Sequence, residues 1–427
     1  MAFGSIKDKA SIIGVGCTKF GSVLETPEIK DLTFHELAAM AAKEAMDDAG
    51  ITASEVDGFI MSNFLSHGTH LYSQNTQMCD WLGLEGKPSI NLGTACSTTN
   101  SALGTAAMMV ASGKMDCVLV VAGEILSSEV QDNQLNRKPL GVTDLWFWTD
   151  FGVDQLYAYH HSYDVATAYG GMPILAYMKK YKIPFNKMDE AMREMHRTVR
   201  LHGSLNPKAF VTQSLEAEAK AAGMSVEEFW SSKKNPFLAW PCRVKFALNT
   251  VDGASAMIVC NSNVADKLSK KAPIDLSGFH NSTANYPWFG TDMTEYPIDI
   301  ESFKWAYKMA GIDGSKLDYM SCHDCMQIHN FTIAENAGYV PKGTAWKAAI
   351  EGKFRYDREK PMHTSGGRHA KGHAFCASAG ADIFEAVKQM RKEADKRQIK
   401  KPVNWAAVHN HGYGLHTAVS ILHRRGA

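Results

Sequence analysis

The 427-residue sequence predicts an α/β layered fold built from two similar halves. Three observations lead there. Short apolar runs of strand character alternate with small-residue helical stretches. The pattern Ala49-Gly50-Ile51, Ser54, Val56, Asp57 returns as Ala310-Gly311-Ile312, Ser315, Leu317, Asp318, every position 261 further on. A lysine-rich stretch, 267–271, then Pro273, reads as a linker between the copies.

Each element follows from local chemistry. Ser11-Ile12-Ile13-Gly14-Val15-Gly16 reads as a buried strand ending in glycines. Residues 33–49 read as a helix, with Thr33 and Glu36 spaced as a capping box and Gly50 as its stop. Phe59-Ile60-Met61 is the next strand; residues 100–112 form a small-residue helix and 117–123 a buried strand. In the second copy a helix ends at Gly311 and the strand Tyr319-Met320 follows. Residues 126–245 differ in kind. Between 144 and 163 stand Trp146, Phe147, Trp148, Phe151, Tyr157, Tyr159 and Tyr163, followed by charged helices over 187–200 and 214–229. Such a stretch is a helical excursion packed by its aromatics, a lid over an aromatic ligand, or both.

Composition excludes several classes. The 45 Lys+Arg balance the 45 Asp+Glu, so the chain lacks the basic surplus of a nucleic-acid or acidic-membrane binder. Any bound anion must be held by local charge. No apolar run approaches the roughly 18 residues of a spanning helix, and the start, MAFGSIKDKASIIGVG, does not resemble a secretory signal. Nine cysteines, an odd number in apolar surroundings, point to reduced thiols and a cytoplasmic location.

Four segments could carry chemistry. In Gly93-Thr94-Ala95-Cys96-Ser97-Thr98, a cysteine opens a helix, where unpaired N–H groups favour thiolate; a packed thiol at a strand–helix junction fits as well. In Gly366-Gly367-Arg368-His369-Ala370-Lys371-Gly372-His373, glycines flank an imidazole able to take a thiol proton near neutral pH. Ser321-Cys322-His323-Asp324-Cys325 follows a strand; structural zinc wants four ligands, and no second close cysteine pair exists. Val408-His409-Asn410-His411-Gly412-Tyr413-Gly414 is a glycine-punctuated turn whose N–H groups could form an oxyanion hole, or a plain polar loop.

Together and in this order, with Asp252-Gly253-Ala254 closing the first half, these segments resemble the thiolase superfamily, specifically its sterol-carrier-protein-2-type branch. The resemblance spans nearly the whole chain and is weakest over 126–235. It implies a duplicated thiolase fold: halves 1–272 and 273–427, each a five-stranded mixed sheet with helices, and a mostly helical loop region, about 126–245, inserted in the first. It further implies Cys96 as the acylated nucleophile and His373 as its activator. His323 would stand where other thiolases use an Asn, Cys325 would be the second acid/base, and the N–H groups of Cys96 and Gly412 would hold the oxyanion. The implied reaction is CoA-dependent cleavage of a 3-oxoacyl-CoA. The aromatic stretch and Tyr286-Pro287-Trp288-Phe289 point to an aromatic acyl group, as in 2-benzoylsuccinyl-CoA giving benzoyl-CoA and succinyl-CoA. Coenzyme A is then a co-substrate, with no permanently bound cofactor and no metal. Implied partners are a second copy of the chain and a small zinc-ribbon/OB-fold subunit. Candidate cations for CoA phosphate or a substrate carboxylate are Arg193, Arg197, Arg243 and Lys371, with Arg200, Lys245 and Arg368 beside them. Retro-aldol cleavage of a β-hydroxyacyl-CoA and a non-catalytic acyl-CoA-binding scaffold are the alternatives; the first needs no nucleophilic cysteine, and the second needs none of these residues. The chain departs from the family pattern in two places. Asn410-His411-Gly412 replaces the usual Cys-x-Gly, and Ala374-Phe375 follows His373 where proline and small residues are usual.

Overall fold

The computed structural model describes residues 5–64, 73–126, 166–284, 292–412 and 416–426. The aromatic stretch 144–163 and residues 286–289 lie outside the described residues.

The strands are β1 (Ala10–Cys17), β2 (Gly58–Ser62), β3 (Ser89–Leu92), β4 (Cys117–Glu124), β5 (Phe237–Ala239), β6 (Cys242–Arg243), β7 (Gly253–Asn261), β8 (Ile274–Thr283), β9 (Tyr319–Ser321), β10 (Trp405–Gly412) and β11 (His416–Arg424). Nine of them form one mixed sheet in the order β3-β2-β4-β7-β1-β8-β11-β10-β9, while β5 and β6 make a separate hairpin. Outward from β1, the pairings run antiparallel to β7, antiparallel to β4, parallel to β2 and parallel to β3. Outward from β8 they run antiparallel to β11, antiparallel to β10 and parallel to β9, and a parallel bridge, Met320 to Met362, then stands where a fifth strand would lie. The repeat seen in the sequence is therefore a repeat of topology. The two sets meet where β1 and β8 pair through only Ser11–Asp275 and Ile12–Ile274, clasped by Arg425 on Asp275.

The helix after the first strand of each set reproduces one packing device. In α1 (Phe34–Ala49) the Thr33–Glu36 capping box is present, and Gly50 closes the helix in the left-handed region. A Cβ at Gly14 or Gly16 would fall 2.1 Å from a carbonyl oxygen of α1, so only glycine lets the helix lie this close to β1. The α8 helix, numbered after the elements below (Pro297–Ala310), approaches β8 the same way over Gly278 and stops at Gly311.

The remaining helices are α2 (Gln74–Leu82), α3 (Thr98–Ala111), α4 (Met172–Tyr181), α5 (Phe185–Ser204), α6 (Leu215–Ala221), α7 (Val226–Ser231), α9 (His329–Asn336), α10 (Ala345–Ile350) and α11 (Phe375–Arg391), short turns aside. Residues 214–229 are two helices rather than the one the sequence suggested. Gly223 takes φ +71°, and Ser225 with Glu228 forms a fresh capping box that starts α7. The α3 and α11 helices pack on each other, with 10 of 14 and 15 of 17 residues buried, and their N-termini carry Cys96 and His373.

The close fit of α3 on the opposite half is testable. A Cβ on Gly104 would sit 2.1 Å from the Phe279 ring of β8. Gly104→Ala is expected to destabilise by about 1–3 kcal/mol through overpacking, measured by denaturant unfolding. Phe279→Leu in that background should recover part of the loss, whereas simple additivity of the two changes would contradict the contact.

Candidate active site

One buried hydrogen-bonded network joins all four motif segments. The Arg368 guanidinium, 0% exposed, donates from Nη1 to Asp324 Oδ1 at 3.0 Å and from Nη2 to Asp382 Oδ2 at 2.9 Å. The Lys371 ammonium donates to Asp382 Oδ1 at 2.9 Å. Asn410 Nδ2 donates to Asp382 at 3.1 Å, and Asn100 Nδ2 donates to Asn410 Oδ1 at 3.0 Å. The His-Asp-Cys loop, the Gly-His loop, β10 and the Cys96 helix are thus tied by side chains in unbroken sequence. Asp324 also accepts the Arg368 backbone N–H at 3.1 Å, and a Cβ at Gly367 would lie 2.1 Å from its Oδ2. Glycine is needed there at φ +57°.

Upon this frame the reactive groups converge. Ligand-type atoms of Cys96, His323 and His373 all lie within 4.8 Å of one another, and the His323 and His373 rings stand edge-to-face at 5.4 Å. Ala95, just before Cys96, takes φ 51°, a sparsely populated conformation for alanine that fits a sharp strand-to-helix turn. His373 Nδ1 pairs with Ser378 Oγ at 3.0 Å, and the same oxygen accepts the Ala374 N–H. With its proton on Nδ1, donated to Ser378 Oγ, the neutral ring presents Nε2 as an acceptor. Burial, then the Arg368 charge, holds His373 well below the usual imidazole range, so it stands as a neutral acceptor. His323 is shifted the same way for the same reasons. Gly412 lies against the Cys96 loop: a Cβ there would come 2.4 Å from Thr94 O and 3.1 Å from Ser97 Oγ.

Cys325 is buried, and burial pushes its thiol up to about 12, which keeps it protonated. Its Sγ lies 3.6 Å from His329 Nδ1. Below this loop, Asp299 in the first turn of α8 accepts from His409 Nε2 at 2.9 Å, from His411 Nε2, and from Thr417 Oγ1 at 3.1 Å. His409 Nδ1 accepts the His323 backbone N–H at 3.4 Å, which fixes its proton on Nε2. The Asp299, His409 and His411 ligand atoms also lie within 4.8 Å of one another. Yet a His409 nitrogen that carries a proton toward Asp299 has no lone pair for a metal, so this trio fits hydrogen bonding better than ligation.

The seven candidate cations all have carboxylate partners. Arg193 pairs with Glu194 at 3.1 Å, and Arg197 with Glu194 at 2.6 Å and Glu216 at 2.9 Å. Arg200 and Lys245 share Glu218. Arg243 pairs with Asp189 at 2.9 Å and stacks on Phe237. Lys371 and Arg368 belong to the buried network, not to open space. Arg193, Arg197 and Arg200 stand on α5, where glutamates pair with them.

Ser378, His329, Asp299 and His409 were not singled out from the sequence. The first two had a local signal, since each sits one helical turn or so beyond a proposed catalytic residue. Asp299 had none, because it reaches the loop only through the fold. All nine cysteines are buried thiols outside disulfides.

Removing one member of a fully buried ion network leaves charge without compensation, costing about 3–5 kcal/mol, while exposed pairs contribute below about 1 kcal/mol. Arg368→Met should therefore lower the unfolding midpoint sharply. Lys43→Met, which breaks a pair with Asp47 whose side chains are 73% and 63% exposed, should leave it nearly unchanged. Comparable effects of the two would contradict the role given to Arg368.

Known proteins resemble this chain over most of its length. Residues 10–190 match the thiolase N-terminal domain and residues 290–425 the thiolase C-terminal domain-like family. The acetyl-CoA acetyltransferase of Methanothermobacter thermautotrophicus is 26% identical, covering 91% of this chain and 93% of its own. The benzoylsuccinyl-CoA thiolase subunit BbsB of Thauera aromatica is 26% identical over 96% of each chain. Sterol carrier protein 2 of Bos taurus is 25% identical, over 97% of this chain and 72% of its own. Among solved structures, an Ltp2-ChsH2(DUF35) aldolase superposes with TM-score 0.78 at 19% identity over 99% of each chain. Human mitochondrial 3-ketoacyl-CoA thiolase in complex with CoA gives 0.69 at 16% over the full length of both. With both thiolase domains matched in order and the duplicated topology observed, the chain belongs to the thiolase superfamily, in its sterol-carrier-protein-2-type branch, and is an acyltransferase with thiolase-type acyl-CoA chemistry.

Proposed function

We propose that this enzyme cleaves an aromatic 3-oxoacyl-CoA by thiolysis, of the kind that takes 2-benzoylsuccinyl-CoA to benzoyl-CoA and succinyl-CoA. The observation that carries the reaction type is the approach of Cys96, His323 and His373 within 4.8 Å. His373 takes the Cys96 proton, and the sulfur attacks the ketone carbon. The Cys96 and Gly412 N–H groups hold the oxyanion, an arrangement in which each donor contributes about 3–4 kcal/mol to the transition state. The carbon–carbon bond breaks, leaving acyl-Cys96 and a thioester enolate whose oxygen faces His323 and His373. Cys325 gives its S–H proton to the enolate carbon, and the first CoA ester departs. The Cys325 thiolate then takes the proton of an incoming CoA thiol, whose sulfur attacks the acyl carbon; the acyl–Cys96 bond breaks, the second ester departs, and the Cys96 sulfur recovers its proton from His373. CoA serves as co-substrate, with no permanently bound cofactor.

Support for an aromatic acyl group comes from three sides: the 144–163 stretch, similarity to the BbsB subunit, and the wall beside the nucleophile. Cys96 packs with Leu126, Phe375 and Phe64, the two rings edge-to-face at 6.1 Å. A flat acyl group suits that wall. Retro-aldol cleavage on the same fold would proceed without Cys96.

The test is CoA-dependent cleavage of a panel of aromatic and aliphatic 3-oxoacyl-CoAs, with and without a small zinc-ribbon/OB-fold partner. Cys96→Ser should lower thiolysis at least about a thousandfold; wild-type turnover would remove the nucleophile assignment. Phe375→Ala should cost an aromatic substrate about five- to tenfold more in kcat/KM than acetoacetyl-CoA, and an equal effect on both would count against the aromatic reading.

The proposal includes a cytoplasmic homodimer. β3 stands at the end of the sheet order with Ile90 exposed, and Trp81 on α2 and Met108 on α3 are each 51% exposed. An edge strand beside apolar side chains is a surface a second copy can cover. Ile90→Asp should shift sedimentation from dimer to monomer; an unchanged dimer would place the contact elsewhere.

A further inference from the structure

His329 is fully buried, opens α9 and lies one turn beyond Cys325. Its Nδ1 is 3.6 Å from the Cys325 sulfur, and its Nε2 has no hydrogen-bond partner among the described residues. The ring does not lie loosely there. Tyr169, Tyr296 and His411 meet it edge-to-face at 6.0, 5.9 and 6.1 Å, which fixes the plane that points Nδ1 at the sulfur. His411 is in turn anchored by its Nε2–H on Asp299.

We infer that His329 is a positioning residue for Cys325, forming a second cysteine–histidine pair beside Cys96–His373 and donating its Nδ1–H to the Cys325 sulfur when the thiolate forms. This rests on the thiolase reading above and deepens it. The physical need is plain. Cys325 must lose its proton to the enolate carbon where burial desolvates a bare thiolate. When the S–H bond breaks and the C–H bond forms, the negative charge moves from enolate to sulfur. A neutral imidazole N–H at hydrogen-bond range meets that charge with a charge-assisted bond and gives up no proton. The incoming CoA thiol then returns the proton to sulfur, and the ring ends as it began. Burial holds His329 down to about 3, so it remains the neutral N–H donor across the working pH range.

The experiment measures deuterium exchange at the α-carbon of acetyl-CoA and succinyl-CoA in heavy water, with Cys96 alkylation by iodoacetamide measured alongside. His329→Leu removes the donor at similar size, and His329→Asn restores an N–H near the Nδ1 position. Exchange should fall about 10- to 100-fold in His329→Leu and return to within about fivefold of wild type in His329→Asn, with Cys96 alkylation within about twofold throughout. Wild-type exchange in His329→Leu would overturn the inference. So would a parallel loss of exchange and Cys96 alkylation, which would assign His329 to the fold instead. Cys325→Ala in the same assay separates the parent reading: exchange that survives in that variant refutes the role of Cys325 itself, whatever His329 does.

Discussion

The catalytic arrangement depends on the buried ion network centred on Arg368. Its guanidinium holds Asp324 and Asp382 together, Lys371 shares Asp382, and Asn410 and Asn100 extend the chain of bonds to the Cys96 helix. Two cations face two carboxylates and all four are buried, so each charge is tolerated only while its partners are in place. That makes the relative positions of four loops, far apart in sequence, a single cooperative property. It also leaves Asp324, between two proposed catalytic residues, with both oxygens bonded to Arg368.

Duplication supplies the second ingredient. Each half contributes one of two packed helices, and their N-termini bring Cys96 and His373 within 4.8 Å of each other. Burial keeps the surrounding histidines neutral, so they accept and donate hydrogen bonds rather than carry charge. A neutral His373 is the form able to take a thiol proton. A protonated Cys325 is the form able to give one.

Much of this was legible in the sequence because its causes are local. The 261-residue repeat announced the duplicated strand order, and Thr33, Glu36 and Gly50 marked a helix that begins and ends where they stand. Glycine-rich punctuation marked the loops around Cys96, His373 and Gly412, since backbone that must approach backbone closely leaves that trace. What escaped is what only the fold brings together. The Asp189 partner of Arg243 and the Glu216 partner of Arg197 are visible only once α5 is packed. Asp299 acts through β10 and β11, more than a hundred positions away. The break at Gly223 needed weighing one glycine against a strong helical pattern. The family resemblance supplied roles that periodicity alone could not.

The central claim is that acyl transfer passes through Cys96. The most direct measurement is peptide-mapped mass spectrometry of the protein after incubation with a 3-oxoacyl-CoA it turns over, in the absence of free CoA. The account predicts one acyl group on the peptide containing Cys96, discharged when CoA is added. Product ester formed with no adduct, or an adduct on any of the other eight cysteines that CoA discharges, would contradict it.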